Sequence, residues 1–263
     1  MIKKIIFTLS LVSFILAGEG LPVLTLPLLA QEGYFPSTPV KPKNGITFSY
    51  ANWYYDTDYS AISVNYNTFS FGFKGLISGN IDIRGDVPTI DPVGSTSYYN
   101  STLYVGKTWD LDDHWSIKGV ANLLTERLFY ATSWGASLDA EVAWTFNVRY
   151  RALLGVENLG AMTPLNNVPT NIPGRYYAGS DVIFNFFILS FKAGVTRDID
   201  PYFRWGIRYF HPVFDISYSF DNLKQVHHVG ADIKWKQFRI EYGQYFHQNG
   251  LGYPMMLSVG IHF

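Results

Sequence analysis

The chain contains no cysteine, so neither disulfides nor thiolate-bound metals enter its chemistry. Nor does it hold a run of about 18 apolar residues, the length a membrane-spanning helix needs. Basic and acidic residues nearly cancel, 20 against 21, and that balance presents no basic face to nucleic acid. No segment sustains a helical period, and 13 prolines with 23 glycines speak against a helical protein. What the chain does have is an interleaved abundance. Of its 263 residues 48% are hydrophobic and 17% aromatic, yet without long runs, so apolar and polar residues must alternate closely.

The first residues, MIKKIIFTLSLVSFILAGEG, have the build of an export leader. Lys3 and Lys4 supply a positive start, and Ile5 to Ala17 form an apolar stretch of about a dozen residues, the size of a signal-sequence core. Residues 1–17 are read as a signal peptide, with Ala30 in LPLLAQEG as the later alternative for cleavage. No cysteine follows to carry a lipid anchor. The exported chain then comprises a short periplasmic N-terminal segment, 31–44, and a body over 45–263.

From the first strand onward one β pattern repeats. WGASLDAEVAW sets Trp134, Ala136, Leu138, Ala140, Val142 and Trp144 on one face, against Gly135, Ser137, Asp139 and Glu141. FNVRYRALLGVE places Phe146, Val148, Tyr150, Ala152, Leu154 and Val156 opposite Asn147, Arg149, Arg151, Gly155 and Glu157. The stretches FRWGIRY, FDISYSF, VGADIKW, FRIEY and the terminal MMLSVGIHF continue the alternation. A period of two marks strands with one apolar and one polar face. Several runs exceed the about 5–6 residues usual in soluble strands and suit the roughly 9–11 that cross a bilayer at a tilt.

Alternation alone fits a soluble sandwich as well as a membrane barrel, and loop lengths separate the two. Counting back from Phe263 gives about 14 strands, an even number as bacterial single-chain barrels require. With the last strand ending on the periplasmic side, tight turns fall there at Trp235–Phe238, Phe210–Phe214, Phe186–Ile188, Trp144–Asn147, Trp109–Trp115 and Tyr66–Thr68. The long connections, Gly79–Ser97 and Asn158–Pro173, both fall on the outer side, where barrels keep their long loops. Trp109, Trp115, Trp144 and Trp235 gather at the periplasmic turns, as an interfacial girdle does. The reading is an all-β, transmembrane antiparallel β-barrel in the bacterial outer membrane. Its terminal aromatic, Phe263, is read as the assembly signal on a strand that closes against the first.

The charges then face the lumen. Asp139 and Glu141 stand one hairpin from Arg149 and Arg151; Arg204 and Arg208 face the strand of Asp215; Asp232 with Lys234 faces Arg239 with Glu241. Such a ladder braces a narrow barrel by pairing groups that burial would otherwise isolate. Enzyme chemistry is poorly served. His114, His211, His227, His228, His247 and His262 are scattered, and the adjacent pair points to opposite faces, so it chelates poorly. No Ser–His or Asp–His spacing suggests a hydrolase, and no glycine-rich phosphate loop suggests a nucleotide or other cofactor.

Three stretches carry a family resemblance: FSYANWYYDTDYSAISVNY, GNIDIRGDVPTIDPVGSTSYYNSTLYVGKTW, and LLGVENLGAMTPLNNVPTNIPGRYYAG. The RGDVPTIDP loop before a Tyr-Tyr strand start, the Gly155–Gly160 strand end and the Pro173–Arg175 turn come in one order. In this the chain resembles the PorV/PorQ branch of FadL-like outer-membrane proteins, over most of Ile46–Phe263. The resemblance implies a barrel of about 14 strands and either a secretion-associated or scaffolding role, as in type IX secretion, or porin-like transport of small hydrophobic compounds. The implied partners are outer-membrane lipid, the barrel assembly machinery, and secretion-system components or a small hydrophobic ligand. One departure stands out. The Asn-Pro-Ala segment that forms an internal hatch in that family is missing, leaving only Gln31 to Asn44 to plug the lumen.

Overall fold

The computed structural model describes residues 26–31, 35–36, 43–53, 57–83, 91–92, 94–248 and 253–263. The leader expected over residues 1–17 lies outside the described residues, as does most of the RGDVPTIDP loop. Fourteen strands follow one another: β1 (Gly45–Asn52), β2 (Thr57–Tyr66), β3 (Phe69–Ile83), β4 (Gly94–Asp110), β5 (Trp115–Leu128), β6 (Ala131–Asn147) and β7 (Tyr150–Met162), then β8 (Arg175–Phe184), β9 (Phe187–Thr196), β10 (Pro201–Phe210), β11 (Phe214–Asp221), β12 (Val226–Trp235), β13 (Phe238–His247) and β14 (Met255–His262). Each pairs with its sequence neighbours, and β1 pairs with β14 to close the barrel.

Closure follows from the alternation. In the β1–β14 seam Ile46, Phe48 and Tyr50 meet Ile261, Val259 and Leu257 on the outside, while Thr47 and Ser49 meet Gly260 and Ser258 within. A slip of one residue would turn every one of these faces over. The exposed Phe, Ile, Leu, Val and Trp side chains run right round the barrel. In water so large an apolar surface would aggregate; against hydrocarbon it is the proper exterior, and the closed ring leaves no unpaired edge.

The short turns lie at one end, as the sequence parity predicts. Asn67 and Lys236 adopt left-handed φ angles of 55° and 54°, which two-residue hairpin turns require. Between β6 and β7 the turn comes a little later than expected. It centres on Val148–Arg149 because Asn147 Oδ1 accepts the N–H groups of Arg149 and Tyr150 at 2.8 and 3.0 Å. At the opposite, outer end the strands run farther than the sequence suggests. β3, β4 and β7 extend into the presumed loops and shorten them to 84–93 and 163–174. Strands β3 to β7 have 13–17 residues against 8–10 in the others. About five extra residues at ~3.3 Å each, on strands tilted by about 40°, raise a wall roughly 12 Å above the rest of the rim.

Candidate functional site: a strapped lumen

The barrel has an internal strap. Leu26 to Gln31, with Phe35 beyond them, cross the inner wall strand by strand in barrel order. Lys74 on β3 donates to Leu26 O at 3.1 Å, Tyr59 on β2 to Pro27 O at 2.8 Å, and Ser49 on β1 to Leu28 O at 2.8 Å. Past the seam, Ala30 N donates to Ser258 Oγ on β14 at 2.9 Å and Gln31 N to Glu241 Oε2 on β13 at 3.1 Å. His228 Nε2 on β12 lies 2.9 Å from Ala30 O, and Ser217 on β11 donates to Gln31 O at 2.7 Å. The Phe35 ring sits 4.4 Å from the Arg208 guanidinium on β10. A backbone with few partners of its own thus has its polar groups satisfied by the wall.

The wall is lowered to receive it. A Cβ at Gly243 would come within 2.2 Å of Ala30 O, one at Gly230 within 2.4 Å of Gln31 O, and one at Gly206 within 2.7 Å of the Phe35 ring. With Ser217, Ser258 and Ser49, these glycines form a band of small lumen-facing residues from β10 round to β1. Gln31 and Phe35 were expected in a periplasmic segment, but hydrogen bonding and this low band hold them inside the lumen; Lys43 and Asn44 remain at the rim. The lumen is occupied here without the Asn-Pro-Ala segment.

The lumen charges of β10 face β11 and those of β12 face β13, as the sequence suggests, but the individual partners differ. Arg149 is exposed in the β6–β7 turn and takes no part. Arg151 pairs forward with Asp181 on β8 at 2.8 Å, since its register partner on β6 is Thr145. Glu141 and Glu157 share Lys192 of β9 at 3.3 and 3.6 Å, and Tyr177 donates to Glu141 at 2.6 Å. Arg204 meets Asp221 at 2.5 Å and not Asp215, which pairs with Lys234 at 2.5 Å. Between β12 and β13 like charges stand directly opposite, Asp232 to Glu241 and Lys234 to Arg239. The bridges therefore run diagonally and along the strand, from Arg239 to Asp232 and, at 3.2 Å, to Glu241. Arg208 stacks on Phe35. Asp139 acts as a fastener for a bulge: its carboxylate accepts Asn122 Nδ2 at 3.2 Å and the N–H of Asn158 at 2.6 Å. Asn158, in the Gly155–Gly160 stretch, has a φ of 58°.

Above the strap, toward the outer end, lies an apolar cluster. Tyr59, Leu76, Tyr98, Val226, Tyr245 and Met256 are buried there with Leu26 and Ala30, and Trp53, Ile81 and Leu128 pack against them. Trp53 meets the Tyr245 ring edge-on at 4.9 Å. The hydroxyls are spoken for: Tyr59 binds Pro27 O, and Tyr98 donates to Glu126 at 2.8 Å. These side chains pack mostly hydrocarbon and ring against one another and against the strap. A second contact joins Leu124 to Ile172 and Met162, folding the 163–174 connection inward against β5.

The remaining predicted residues are at the periphery. Trp109, Trp115, Trp144 and Trp235 face outward at the short-turn end, with Trp115 and Trp144 stacked at 5.8 Å. Phe263 is exposed beside them and its N–H donates to Asn44 O at 3.0 Å. His227 bonds Tyr218 on the outer surface at 2.6 Å while its neighbour His228 faces in. Among the described residues no three His, Asp or Glu side chains converge to hold a metal. Lys192, Asp181, Asp221 and Lys74 were missed by sequence reasoning, although each lies on a lumen-facing parity.

No family model and no curated protein matches the chain in sequence. Solved structures match it in fold. The CymD monoaromatic hydrocarbon channel superposes with a TM-score of 0.56 at 11% identity, over 94% of this chain and 98% of that one. The P. putida toluene transporter TodX gives 0.51 at 8% identity, over 86% and 91%. A FadL homologue from Pseudomonas aeruginosa gives 0.49 at 9% identity, over 83% and 90%. At these identities the likeness is one of architecture. Together with the closed ring and its apolar exterior, it makes this chain a closed fourteen-stranded transmembrane β-barrel, a protein of the bacterial outer membrane.

Proposed function

We propose that the barrel is a passive conduit for small hydrophobic molecules, which enter at its outer end. The observation that carries this reading is the apolar cluster of Trp53, Tyr59, Tyr98, Tyr245 and Met256 inside an otherwise charged lumen. Small apolar solutes partition into such a site because their hydration is unfavourable, and aromatic walls give a flat ring offset or edge contacts. The ion pairs below hold the wall rigid. The likeness to CymD and TodX, a hydrocarbon channel and a toluene transporter by name, is one of barrel fold and not of these interior features.

The test is binding and uptake of toluene. Purified protein should bind toluene saturably, and cells carrying the barrel should take it up faster than cells without it. Met256→Lys, which puts a charge into the cluster, should remove both effects while leaving the folded band intact on unheated gels. Saturable binding that survives Met256→Lys, or uptake equal with and without the barrel, defeats the reading.

The wall of β3 to β7 favours a second reading, that of a secretion-associated scaffold. Its outer rim carries Tyr130 at 97% exposure and Trp134 at 64%, a surface suited to a protein partner. A photo-crosslinker at position 130 should then capture secretion-system components in intact cells. Capture of lipopolysaccharide alone would count against this role.

A further inference from the structure

We infer that residues Leu26 to Gln31 stay in the mature protein as a latch across the closure seam, so that leader cleavage occurs before Leu26 and spares the Ala30–Gln31 bond. Both signal-like cleavage points, Ala17 and Ala30, are open on sequence grounds, and the structure distinguishes them. Cutting after Ala30 would remove the acceptors of Lys74, Tyr59 and Ser49 and the donor to Ser258. Each of these three donors would then lose an acceptor that it uses in the folded lumen. The Ala30–Gln31 bond itself has its flanking groups engaged: Ala30 O by His228 and Gln31 N by Glu241. Ala30 is fully buried over Gly243.

The seam gives this retention a purpose. Ser49 on β1 and Ser258 on β14 lie 2.8 Å apart, and the strap binds both, Leu28 O to one and Ala30 N to the other. These two strands are the farthest apart in sequence and must pair to close the ring. One backbone segment fastened to each of them holds that junction from inside. The chemistry is ordinary peptide hydrolysis: water adds to the carbonyl of a residue before Leu26, the C–N bond breaks, and the new amine belongs to the barrel.

The experiment is the intact mass and N-terminal sequence of the full chain recovered from outer membranes after export with its own leader. An N-terminus between residues 18 and 26 supports the inference. A start at Gln31 overturns it, as does an uncleaved Met1. The latch is tested separately by Gly243→Val, whose side chain would strike Ala30 O. It should lower the temperature at which the folded gel band is lost, whereas Gly79→Ala, with nothing within 4 Å, should not. In a chain begun at Gln31 behind a foreign leader the Gly243→Val loss should shrink, because Ala30 is gone and only the end of the His228 side chain, 2.9 Å from that Cβ, is left to give way. An undiminished loss there would mean that Gly243 serves the wall alone and would overturn the latch.

Discussion

Replacing Arg239 by Met should destabilise the barrel by about 3–5 kcal/mol, the range for breaking a buried ion pair by removing one partner. The estimate rests on what the guanidinium leaves behind. Asp232 and Glu241 are register partners on β12 and β13, with side-chain exposures of 0% and 2%. Without Arg239 two carboxylates face each other in a lumen that offers little water. Their other contacts survive in the variant and so do not change the difference: Asp232 keeps the N–H of Asp215 at 2.7 Å and Glu241 that of Gln31 at 3.1 Å. The assay is a urea titration of protein refolded into lipid vesicles, reading the folded fraction from the gel mobility of unheated samples. Adding Asp232→Asn and Glu241→Gln to Arg239→Met should recover most of the loss, since the charges that need a partner are then absent. Lys236→Met, in an exposed turn, should stay within about 0.5 kcal/mol of the parent. If Arg239→Met also stays within that margin, the lumen is wet at this depth and the bracing argument fails.

Other outcomes follow from the same features. Deleting Phe263, which removes an outward aromatic and a hydrogen bond to Asn44 at the seam, should lower outer-membrane levels far more than Tyr130→Ala; equal levels would refute an assembly role. A variant keeping Trp144 as its sole tryptophan should be quenched more by lipids brominated near the headgroup than near the chain end; the reverse would place the girdle wrongly. In planar bilayers the strapped, paired lumen should pass little current, and large stable openings would contradict it. Asp112 in the β4–β5 turn accepts the N–H groups of His114 and Trp115, each at 2.7 Å, which holds its carboxyl below the ordinary value of 3.8. A depressed folded value stabilises above the unfolded one and loses that gain on acidification. Asp112→Ala should therefore be slightly less stable than the parent at neutral pH, with the gap closing below pH 3.8.

The barrel was legible because its signal is local and repeated. Ile46, Phe48 and Tyr50 or Leu257, Val259 and Ile261 need only a period of two, and turn parity then sorts the ends. Charge partners were less legible because they depend on register, which hairpin turns set. The turn between Phe210 and Phe214 makes Phe210 the register partner of Asp215, and this delivers Arg204 to Asp221, several positions from the expected carboxylate. Lys192 was overlooked because it pairs with β6 and β7, beyond its adjacent strands. The strap was hidden for another reason: its own residues carry no β pattern. Its imprint is in the wall, where Gly206, Gly230 and Gly243 stand at lumen positions that larger polar residues occupy elsewhere. Those glycines read as neutral spacers until a backbone is laid across them.

The strap also changes the kind of polymer problem this barrel poses. A plain barrel is a ring of nearest neighbours, with the first and last strands as its one distant pairing. Ala30 to Ser258 spans 228 residues, His228 to Ala30 198, and Ser217 to Gln31 186. Such contacts raise the mean sequence separation, and their loop entropy is lost before they reward the chain, which slows folding. Because its contacts reach both β1 and β14, the strap is completed only when the two ends of the chain have met.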